Sequence, residues 1–520
     1  MAKDHLATYS SPGVYVVELD SQSVYFNIPS SVPVFIGYTH RAEYSGTSCW
    51  NKPVLIQSLA EFKSRFGNPN AQKQYDPQFY VEPLTSQISC ANPVQIRNRP
   101  YCICPDPNTI YYLYNSLRLY FENGGTQAYI VAVGPYGAAS GKSVPPSEHW
   151  VNSNVKRSEL EAGLSSLDST HPATLIVCPD ACLLSQEDYG LFMQKALQNS
   201  KEADMRFALF DVQDGRAPDA QNWQRGIDAF RNNTGNEALA FGAAYYPFLE
   251  TNSVQSEELD FTNLFGGSVE LLEELLCPVN DKDIKVSKLL AELKSDTNKR
   301  TVQETDKLLR TLSDVYVEIH KAIVREANLL PPTGGIAGAI VTTDADTGVW
   351  KAPANIGINR VVSLPIKLTN EQQEPLNVDP VSGKSINVIR LFSGLGVLIW
   401  GARTLDGNSS EYRYISVRRT ASYIYGSCRS GLKSYEFHPN NQTTWTAVIS
   451  STNSFLDGLW QNGGLQGASP TDAYFVRCGL NSTMTQQDID NGKLIVEVGF
   501  SLIYPAEFYI VRIVLNMLTN

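Results

Sequence analysis

The sequence predicts a multidomain protein of mixed α+β and α/β class, in which an α/β segment in the middle of the chain is followed by a β-rich part. A chain of 520 residues is too long for one ordinary hydrophobic core, so two to four domains are expected. Short apolar runs alternate with helical patterns from about residue 136 to 250, which is the rhythm of a parallel α/β domain. The part after residue 333 is β-rich, and both chain ends contain strand-like runs.

The N-terminal part predicts strands interrupted by two helices. Residues 52–67 indicate a strand and then a short helix, because Leu59, Phe62 and Phe66 share one helical face and Gly67 suits a C-cap. The other elements predicted here are strands at 11–20, 31–40 and 127–134, an extended connection over 68–108, and a helix over 110–125.

The middle and C-terminal parts predict the alternating α/β segment and the β-rich remainder. The strands are expected at 174–180, 206–212 and within 239–250, and the helices at 157–167, 186–200 and 220–231. Residues 255–330 are charge-rich, and helical spacing continues from Leu308 to Ile323. A Gly-rich turn is predicted from residue 333, and two later helices are predicted around 413–429 and 441–461.

The two ends of the chain raise a question of pairing. Residues 11–20, "SPGVYVVELD", and residues 508–515 are both strand-like, and Arg512 is the one charged residue of the second run. Chain ends usually fray, so a strand there needs a sheet to pair with. The sequence by itself does not identify the sheet with which either run would pair.

Composition and charge exclude several classes of protein. The net charge of −11, without a cluster of five or six basic residues, argues against a general nucleic-acid binder. The N-terminus lacks a secretory h-region, and no run of 18 apolar residues predicts a membrane span. Nine scattered cysteines indicate synthesis in a reducing cytoplasm with free thiols.

Possible ligand sites in the sequence each have a more ordinary interpretation. "TGGIAGA" (333–339) is not a G-x-G-x-x-G loop and follows two prolines, so a turn is favoured over phosphate binding. The spacing of His171, Cys178 and Cys182 matches no zinc pattern, and Cys102 and Cys104 lack a second pair. Buried cysteines are the favoured interpretation.

Two aspartates are the candidate catalytic residues. Asp180 and Asp211 end predicted parallel strands, where α/β enzymes place catalytic groups. A hydrolase would add a serine and a histidine, and no G-x-S-x-G elbow is present, so helix capping or loop hydrogen bonding is favoured. Asp344 and Asp346 are interpreted as turn residues. No catalytic, cofactor-binding or metal-binding residue is predicted, which favours a structural role.

Several phrases in the first half resemble the sheath proteins of contractile tails, found in phage tails and in phage-tail-like contractile injection systems. The family pattern of a PGVYVxE strand, a second strand and a PVxxxSxxEFxxxFG segment is similar to "PGVYVVEL" (12–19), "SSVPVFIGYT" (30–39) and "PVLIQSLAEFKSRFG" (53–67). The helix, NGG and strand that follow resemble "YFENGGTQAYIVAV" (120–133).

The second half continues the resemblance. The matching phrases are "TGGIAGAIVTTDADTGVWKAPAN" (333–355), "INVIRLFSGLGVLIWGARTL" (386–405) and "GKLIVEVGFSLIYPAEFYIVRI" (492–513). The GVWKAPAN, WGARTL and PAEF phrases are specific when they occur in this order, and the resemblance is weakest over 136–330.

The resemblance implies a domain organisation. It predicts an N-terminal arm (1–20), a sheath core built from 21–135 and 346–505, an inserted outer α/β domain (136–345) and a C-terminal arm strand (506–520). The arms would pair with the sheets of neighbouring subunits. The residues implied in these intersubunit strands are Val14, Tyr15, Val16, Val17, Phe508, Tyr509, Ile510, Val511 and Ile513.

The resemblance also implies a function without cofactor or catalysis. The subunit would polymerise helically around an inner tube, alone or with sheath paralogues, and contract to drive the tube through a target envelope. Baseplate and terminator or cap proteins are the other implied partners, with no nucleic acid and no direct membrane insertion. Assembly is expected in the bacterial cytoplasm, as part of a phage tail or of a phage-tail-like particle that can be released from the cell.

Two alternative functions stay open at this point. The first is an α/β hydrolase-like enzyme that uses the inserted domain, for which turnover of ester or peptide substrates would be the sign. The second is a tail-associated binding module, for which closed oligomers instead of tubes would be the sign.

Overall fold

The computed structural model describes residues 28–68, 77–86, 88, 90, 92–169, 171–216, 223–278, 283–295 and 299–507. The strands in this part of the chain are β1 (Pro33–Thr39), β2 (Glu43–Tyr44), β3 (Thr47–Ser48), β4 (Val54–Ile56), β5 (Phe79–Pro83), β6 (Val94–Ile96), β7 (Arg99–Pro105), β8 (Ala128–Pro135), β9 (Leu175–Val177), β10 (Phe207–Asp211), β11 (Gly242–Tyr246), β12 (Leu249–Thr251), β13 (Leu329–Leu330), β14 (Ile356–Gly357), β15 (Val361–Ser363), β16 (Ile386–Phe392), β17 (Gly396–Ile399), β18 (Tyr474–Cys478) and β19 (Val496–Phe500).

Fifteen α-helices form in the same described ranges. They are α1 (Leu59–Phe66), α2 (Leu113–Glu122), α3 (Arg157–Ser165), α4 (Gln186–Ala203), α5 (Trp223–Asn233), α6 (Val269–Leu276), α7 (Ile284–Lys294), α8 (Val302–Leu312), α9 (Asp314–Ala327), α10 (Thr333–Asp346), α11 (Asn370–Asn377), α12 (Ile415–Leu432), α13 (Gln442–Gln461), α14 (Pro470–Ala473) and α15 (Gln486–Asp490). Four of them, α6 to α9, follow one another without an intervening strand. Helices α12 and α13 confirm the two helices predicted around 413–429 and 441–461.

A nine-stranded sheet organises the body of the protein. Its strand order is β14-β17-β16-β11-β10-β9-β1-β8-β4, and the six strands from β16 to β8 run parallel. Strand β1 is buried on both faces, since Val34 and Ile36 enter one apolar core while Phe35 enters the other. Helices α3, α4 and α5 cover the first face, and α1, α2 and α10 cover the second. The mixed α/β class predicted from the sequence is confirmed.

The nine-stranded sheet crosses both boundaries that were predicted for the inserted domain. Strands β9, β10 and β11 belong to the span 136–345, and they occupy the middle of the sheet. Strand β9 pairs with β1 on one side, and β11 pairs with β16 on the other. The independence of residues 136–345 as a domain therefore stays a prediction. A unit that could be removed without opening this sheet must be smaller than 136–345, because it must leave β9, β10 and β11 in place.

A smaller unit with its own core lies beside the body. The three-stranded antiparallel sheet β5-β7-β6 packs against helices α6 to α9 through a separate apolar cluster, which includes Phe79, Ile103, Leu272, Leu290 and Tyr316. The prediction of an extended connection over 68–108 is wrong for residues 79–83 and 94–105, where β5 to β7 form a sheet and place alternate apolar residues against these helices. The helical spacing predicted from Leu308 to Ile323 is interrupted at Ser313, which caps the N-terminus of α9.

Helix α10 is the largest departure from the sequence-based elements. The run "TGGIAGAI" was predicted as a turn, but residues Thr333–Asp346 form a helix that packs against α2. Glycine permits this contact because it removes the Cβ atom between the two backbones. A Cβ added to Gly334 would lie 2.3 Å from the carbonyl oxygen of Ser116, and one added to Gly338 would lie 2.7 Å from that of Tyr120.

Gly334→Ala is expected to destabilise the folded subunit. The new methyl group must push α10 away from α2, and overpacking of this kind typically costs ~1–3 kcal/mol. Gly458→Ala in α13 is the matched control, since nothing lies within 4 Å of its added Cβ. That control should gain about 0.5–1 kcal/mol from helix propensity. Urea unfolding measures the free energy of unfolding of the two variants. Equal values would refute the close-packing explanation.

Candidate functional site at the roots of the terminal segments

The residues predicted to form intersubunit strands lie outside the described residues. Val14, Tyr15, Val16 and Val17 fall within residues 1–27, and Phe508, Tyr509, Ile510, Val511 and Ile513 fall within 508–520. Their pairing stays a prediction. The structure does describe the residues that adjoin these two segments, 28–32 and 501–507, and the contacts that hold them.

The C-terminal anchor consists of Glu507 and the three side chains that hold its carboxylate. Arg403 donates from Nε to Oε1 at 2.9 Å and from Nη2 to Oε2 at 2.6 Å, which is a bidentate geometry. Asn377, at the end of α11, donates to Oε1 at 2.7 Å, and the hydroxyl of Tyr414 donates to Oε2 at 3.0 Å. The Arg403 side chain is buried, with 5% of its surface exposed.

The surroundings of Glu507 favour its charged form. Burial acts to raise the pKa of this carboxyl, but the hydrogen bonds from Arg403 and Asn377 outweigh it and hold the pKa below its ordinary value. Burial and the neighbouring Glu507 charge together raise the pKa of Tyr414. At neutral pH the anchor is therefore a carboxylate that accepts hydrogen bonds from a guanidinium, an amide and a phenol.

Arg403 is itself fixed to the nine-stranded sheet through its main chain. Its N–H donates to Oδ1 of Asn387 at 2.8 Å, and its carbonyl accepts from Nδ2 of Asn387 at 2.8 Å. Asn387 lies in β16, is fully buried, and also donates to the carbonyl of Ala244 in β11 at 3.1 Å. A chain of short hydrogen bonds thus connects Glu507 to the interior of the sheet.

The N-terminal anchor is a second buried ion pair. Arg419 of α12 binds Asp344 of α10 with Nη2–Oδ2 at 2.6 Å and Nη1–Oδ1 at 3.0 Å, and both side chains are 3% exposed. Ser30 donates its hydroxyl to Asp344 at 2.7 Å, and its carbonyl accepts from Arg419 at 3.1 Å. Two residues later Val32 bonds to Thr174 and the chain enters β1.

Sequence reasoning missed both anchors. Asp344 was interpreted as a turn residue, but it lies in the last turn of α10 and faces Arg419. Arg403 and Glu507 belong to the WGARTL and PAEF phrases, which are 104 positions apart and were not paired with each other. The available signal was a charged residue inside an otherwise apolar phrase, because such a charge needs a buried partner.

Asp180 and Asp211 hold backbone groups, so the favoured interpretation of these residues is confirmed. Asp180 accepts from the N–H groups of Tyr38, Tyr112 and Leu113, which ties β1 to the start of α2. Asp211 accepts from both the N–H and the hydroxyl of Thr333 at the start of α10. Burial raises the pKa of Asp180 to about 6 and that of Asp211 to about 7, although these hydrogen bonds act to lower both values.

Asp211→Asn is expected to stabilise the subunit above pH 7 and to have little effect near pH 4. The folded pKa of about 7 exceeds the ordinary 3.8, so the wild type loses stability as the pH rises from about 4 to about 7. At about 1.4 kcal/mol per pKa unit, the shift from 3.8 to about 7 corresponds to a difference of about 4 kcal/mol at pH 8. The asparagine retains an oxygen for the Thr333 N–H, and the threonine hydroxyl can rotate to accept from the new amide.

Urea unfolding at pH 5 and pH 8 measures this effect. Asp180→Asn is the matched control, because both Asp180 oxygens accept from backbone N–H groups and an amide nitrogen there would face a donor. The control should be less stable than the wild type at pH 5 and should show a smaller loss at pH 8, because the pKa of Asp180 is raised to about 6 and its charge also destabilises the wild type there. A difference between Asp211→Asn and the wild type that does not change with pH would contradict the titration of Asp211.

The candidate metal ligands do not assemble into a site. Within the described ranges, no group of three or more His, Cys, Asp or Glu side chains could hold a metal ion. His171 packs against the ring of Tyr129, and Cys178 and Cys182 are buried. The expectation that all thiols are free is wrong for Cys90 and Cys102, which form a disulfide.

The described part of the chain also contains no helix that is both long and apolar enough to span a bilayer. The predicted glycine turn offers no phosphate loop, since it is the buried start of α10, where Asp211 already binds Thr333.

The C-terminal module beyond α12 contains a two-stranded antiparallel sheet formed by β18 and β19. Val476, Val498 and Phe500 pack toward an apolar cluster with α12 and α13, while Phe475 on the opposite face is 42% exposed. No third strand joins this sheet among the described residues. A two-stranded sheet is marginal by itself, and its unpaired edges can accept another strand.

The C-terminal part of the chain matches a known family. Residues 408–516 match the phage tail sheath C-terminal domain. The tail sheath protein of Vibrio phage KVP40 is 24% identical to this chain over 142 residues. That match covers 26% of this chain and 20% of the phage protein, so it spans about a fifth of the relative's length.

Solved structures match nearly the whole chain. The sheath complex of the extracellular contractile injection system PVC, in its contracted state, is 25% identical with a TM-score of 0.58, over 98% of each chain. The helical sheath of the anti-feeding prophage, also contracted, is 26% identical with a TM-score of 0.56, over 98% of this chain and 99% of that one. A chain of the six-fold symmetrised anti-feeding prophage baseplate is 25% identical, with a TM-score of 0.56 over 98% and 100% of the two chains. Over residues 408–516 the chain matches the phage tail sheath family, and over nearly its whole length its fold matches that of contractile sheath subunits.

Proposed function

We propose that this protein is a structural subunit of a contractile sheath, which polymerises helically around an inner tube and contracts to drive the tube through a target envelope. The observation that carries the proposal is the likeness to contracted sheath subunits over 98% of the chain, including the part before residue 408. No catalytic role is proposed, since Asp180 and Asp211, on which a hydrolase would depend, are engaged with backbone groups.

The terminal segments act between subunits in this proposal. Val14 to Val17 and Phe508 to Ile513 pair with sheets of neighbouring copies, and the open edges of β18 and β19 are the acceptor. Each ladder hydrogen bond contributes ~0.5–1.5 kcal/mol and each buried apolar side chain ~1.5–3 kcal/mol. Ordering the segment costs roughly 1–2 kcal/mol per residue, so one arm is marginal and the array depends on many. Such head-to-tail contacts do not close, which produces a helical polymer.

The remaining partners follow from the same role. The inner tube, the baseplate and a terminator or cap protein are proposed to contact the sheath, with paralogous sheath subunits as an additional option. Assembly in the bacterial cytoplasm into a phage tail or a phage-tail-like particle is proposed as well. Contraction draws on an alternative packing of the same subunits, so no nucleotide is required.

Negative-stain microscopy of the protein co-expressed with its tube and baseplate tests the proposal. Long hollow helical cylinders are the expected result. Stable monomers at high concentration, in the presence of both partners, would overturn it. Closed rings or trimers without cylinders would instead favour a tail-associated binding module.

A further inference from the structure

We infer that the C-terminal anchor transmits tension on the C-terminal segment into the nine-stranded sheet, so that the two-stranded sheet β18–β19 is shielded from that load. The inference rests on the proposed function, because only a subunit that donates its terminal segment to a neighbour is pulled there. It assigns a role to Arg403, Asn377 and Tyr414 as positioning residues for the segment that follows Glu507.

The position of the anchor along the chain is the first argument. After β19 ends at Phe500, residues 501–507 return from the C-terminal module to the body. Tyr504 packs edge-to-face on Tyr414, with 6.3 Å between ring centroids, and its hydroxyl donates to the carbonyl of Glu411 at 3.3 Å. The Glu507 carboxylate then binds Arg403. A pull applied beyond residue 507 therefore meets the anchor before it reaches β19.

The difference in strength between the two sheets is the second argument. Without the anchor, the pull would act on β19, whose one partner strand in the described chain is β18. With the anchor, it passes from Glu507 to Arg403 and then through Asn387 to β16 and β11. Those strands lie inside a sheet of nine, covered by helices on both faces, and many ladder hydrogen bonds must yield together before it opens.

The chemistry of the contact suits this role. Hydrogen bonds between ionised groups are roughly twice as strong as neutral ones, and a bidentate pair also fixes direction. Three separate parts of the fold hold one carboxylate, namely the end of α11, the loop after β17 and the residue before α12. The guanidinium of Arg403 is anchored on its far side as well, since Nη1 donates to the carbonyl of Gly407 at 2.9 Å.

Assembled sheaths of Glu507→Gln, exposed to graded ultrasonic shear, test the inference. The glutamine is nearly isosteric but removes the charge, so these sheaths should assemble and then fragment to a median length at least about threefold shorter than wild-type sheaths under the same dose. Glu318→Gln on α9 is the matched control, because its carboxylate is more than half exposed and lies 2.8 Å from Lys321, away from the anchor and from β18 and β19. Control sheaths should fragment like the wild type. Thermal unfolding of the free subunits measures what the lost charge costs the fold, since the buried Arg403 guanidinium then faces a neutral amide. Sheaths of Gly334→Ala, a substitution expected to destabilise the subunit away from the anchor, should fragment like the wild type.

The outcomes separate this inference from the proposed function. Failure of the wild type to form sheaths overturns the function, whereas equal fragmentation of wild-type and Glu507→Gln sheaths overturns the inference alone. Gly334→Ala sheaths that fragment as readily as Glu507→Gln sheaths would show that subunit stability alone sets the fragment length, which gives the anchor a merely structural role and also overturns the inference. Asn377→Ala removes one of the three partners and should give intermediate fragment lengths with an unchanged unfolding temperature.

Discussion

Removal of residues 508–520 is expected to leave a folded subunit that forms no sheath. The truncation retains Glu507 and hence the C-terminal anchor, while it removes the strand proposed to pair with a neighbouring copy. In the proposed array one arm is marginal and many must act together, so loss of the arm from every copy should abolish assembly. Thermal unfolding and size-exclusion chromatography check the subunit, and negative-stain microscopy with the tube checks assembly.

A single substitution within the same segment provides the finer test. Ile510→Pro removes one main-chain donor and should weaken assembly, whereas Ile510→Val preserves the β-branched side chain and the donor and should assemble normally. If the truncated chain instead unfolds or aggregates as a monomer, the segment belongs to its own subunit's core and the exchange of strands is refuted.

Asp344→Ala is expected to cost ~3–5 kcal/mol of folding free energy, since it leaves the buried Arg419 guanidinium without its carboxylate. It also removes the acceptor for the Ser30 hydroxyl, so the start of the described chain loses one of its contacts. Urea unfolding of the free subunit measures the loss.

Asp346→Ala is the matched control for the N-terminal anchor. Asp346 is in the same last turn of α10 but is exposed, so its removal should change stability by no more than about 0.5 kcal/mol. The double variant Asp344→Ala with Arg419→Met should recover part of the loss, because no unpaired charge then stays buried. Equal effects of Asp344→Ala and Asp346→Ala would show that the buried ion pair does not stabilise the fold.

The sequence predicted correctly those elements whose local pattern of apolar residues is enough to show which side chains are buried. Strands β9 and β10 are short apolar runs, and they occupy the middle of the sheet as a buried parallel strand must. Helices α4, α12 and α13 are 18 or more residues long. Over that length the helical spacing of apolar residues is clear, although a short apolar run could be either a helix or a strand. The family phrases added the class of protein, since their order along the chain is more specific than any one of them.

Tertiary structure alone decided the features that depend on distant residues. Glycines normally disfavour a helix, so "TGGIAGAI" indicated a turn, yet α10 forms because its backbone lies against that of α2 where a Cβ would not fit. The sheet joins strands from three predicted spans, which no local pattern records. The pairs Arg403–Glu507 and Arg419–Asp344 bring together residues 104 and 75 positions apart. A charge in an apolar phrase indicates that a partner exists, but only the packed fold determines which residue it is, because burial makes that one contact obligatory.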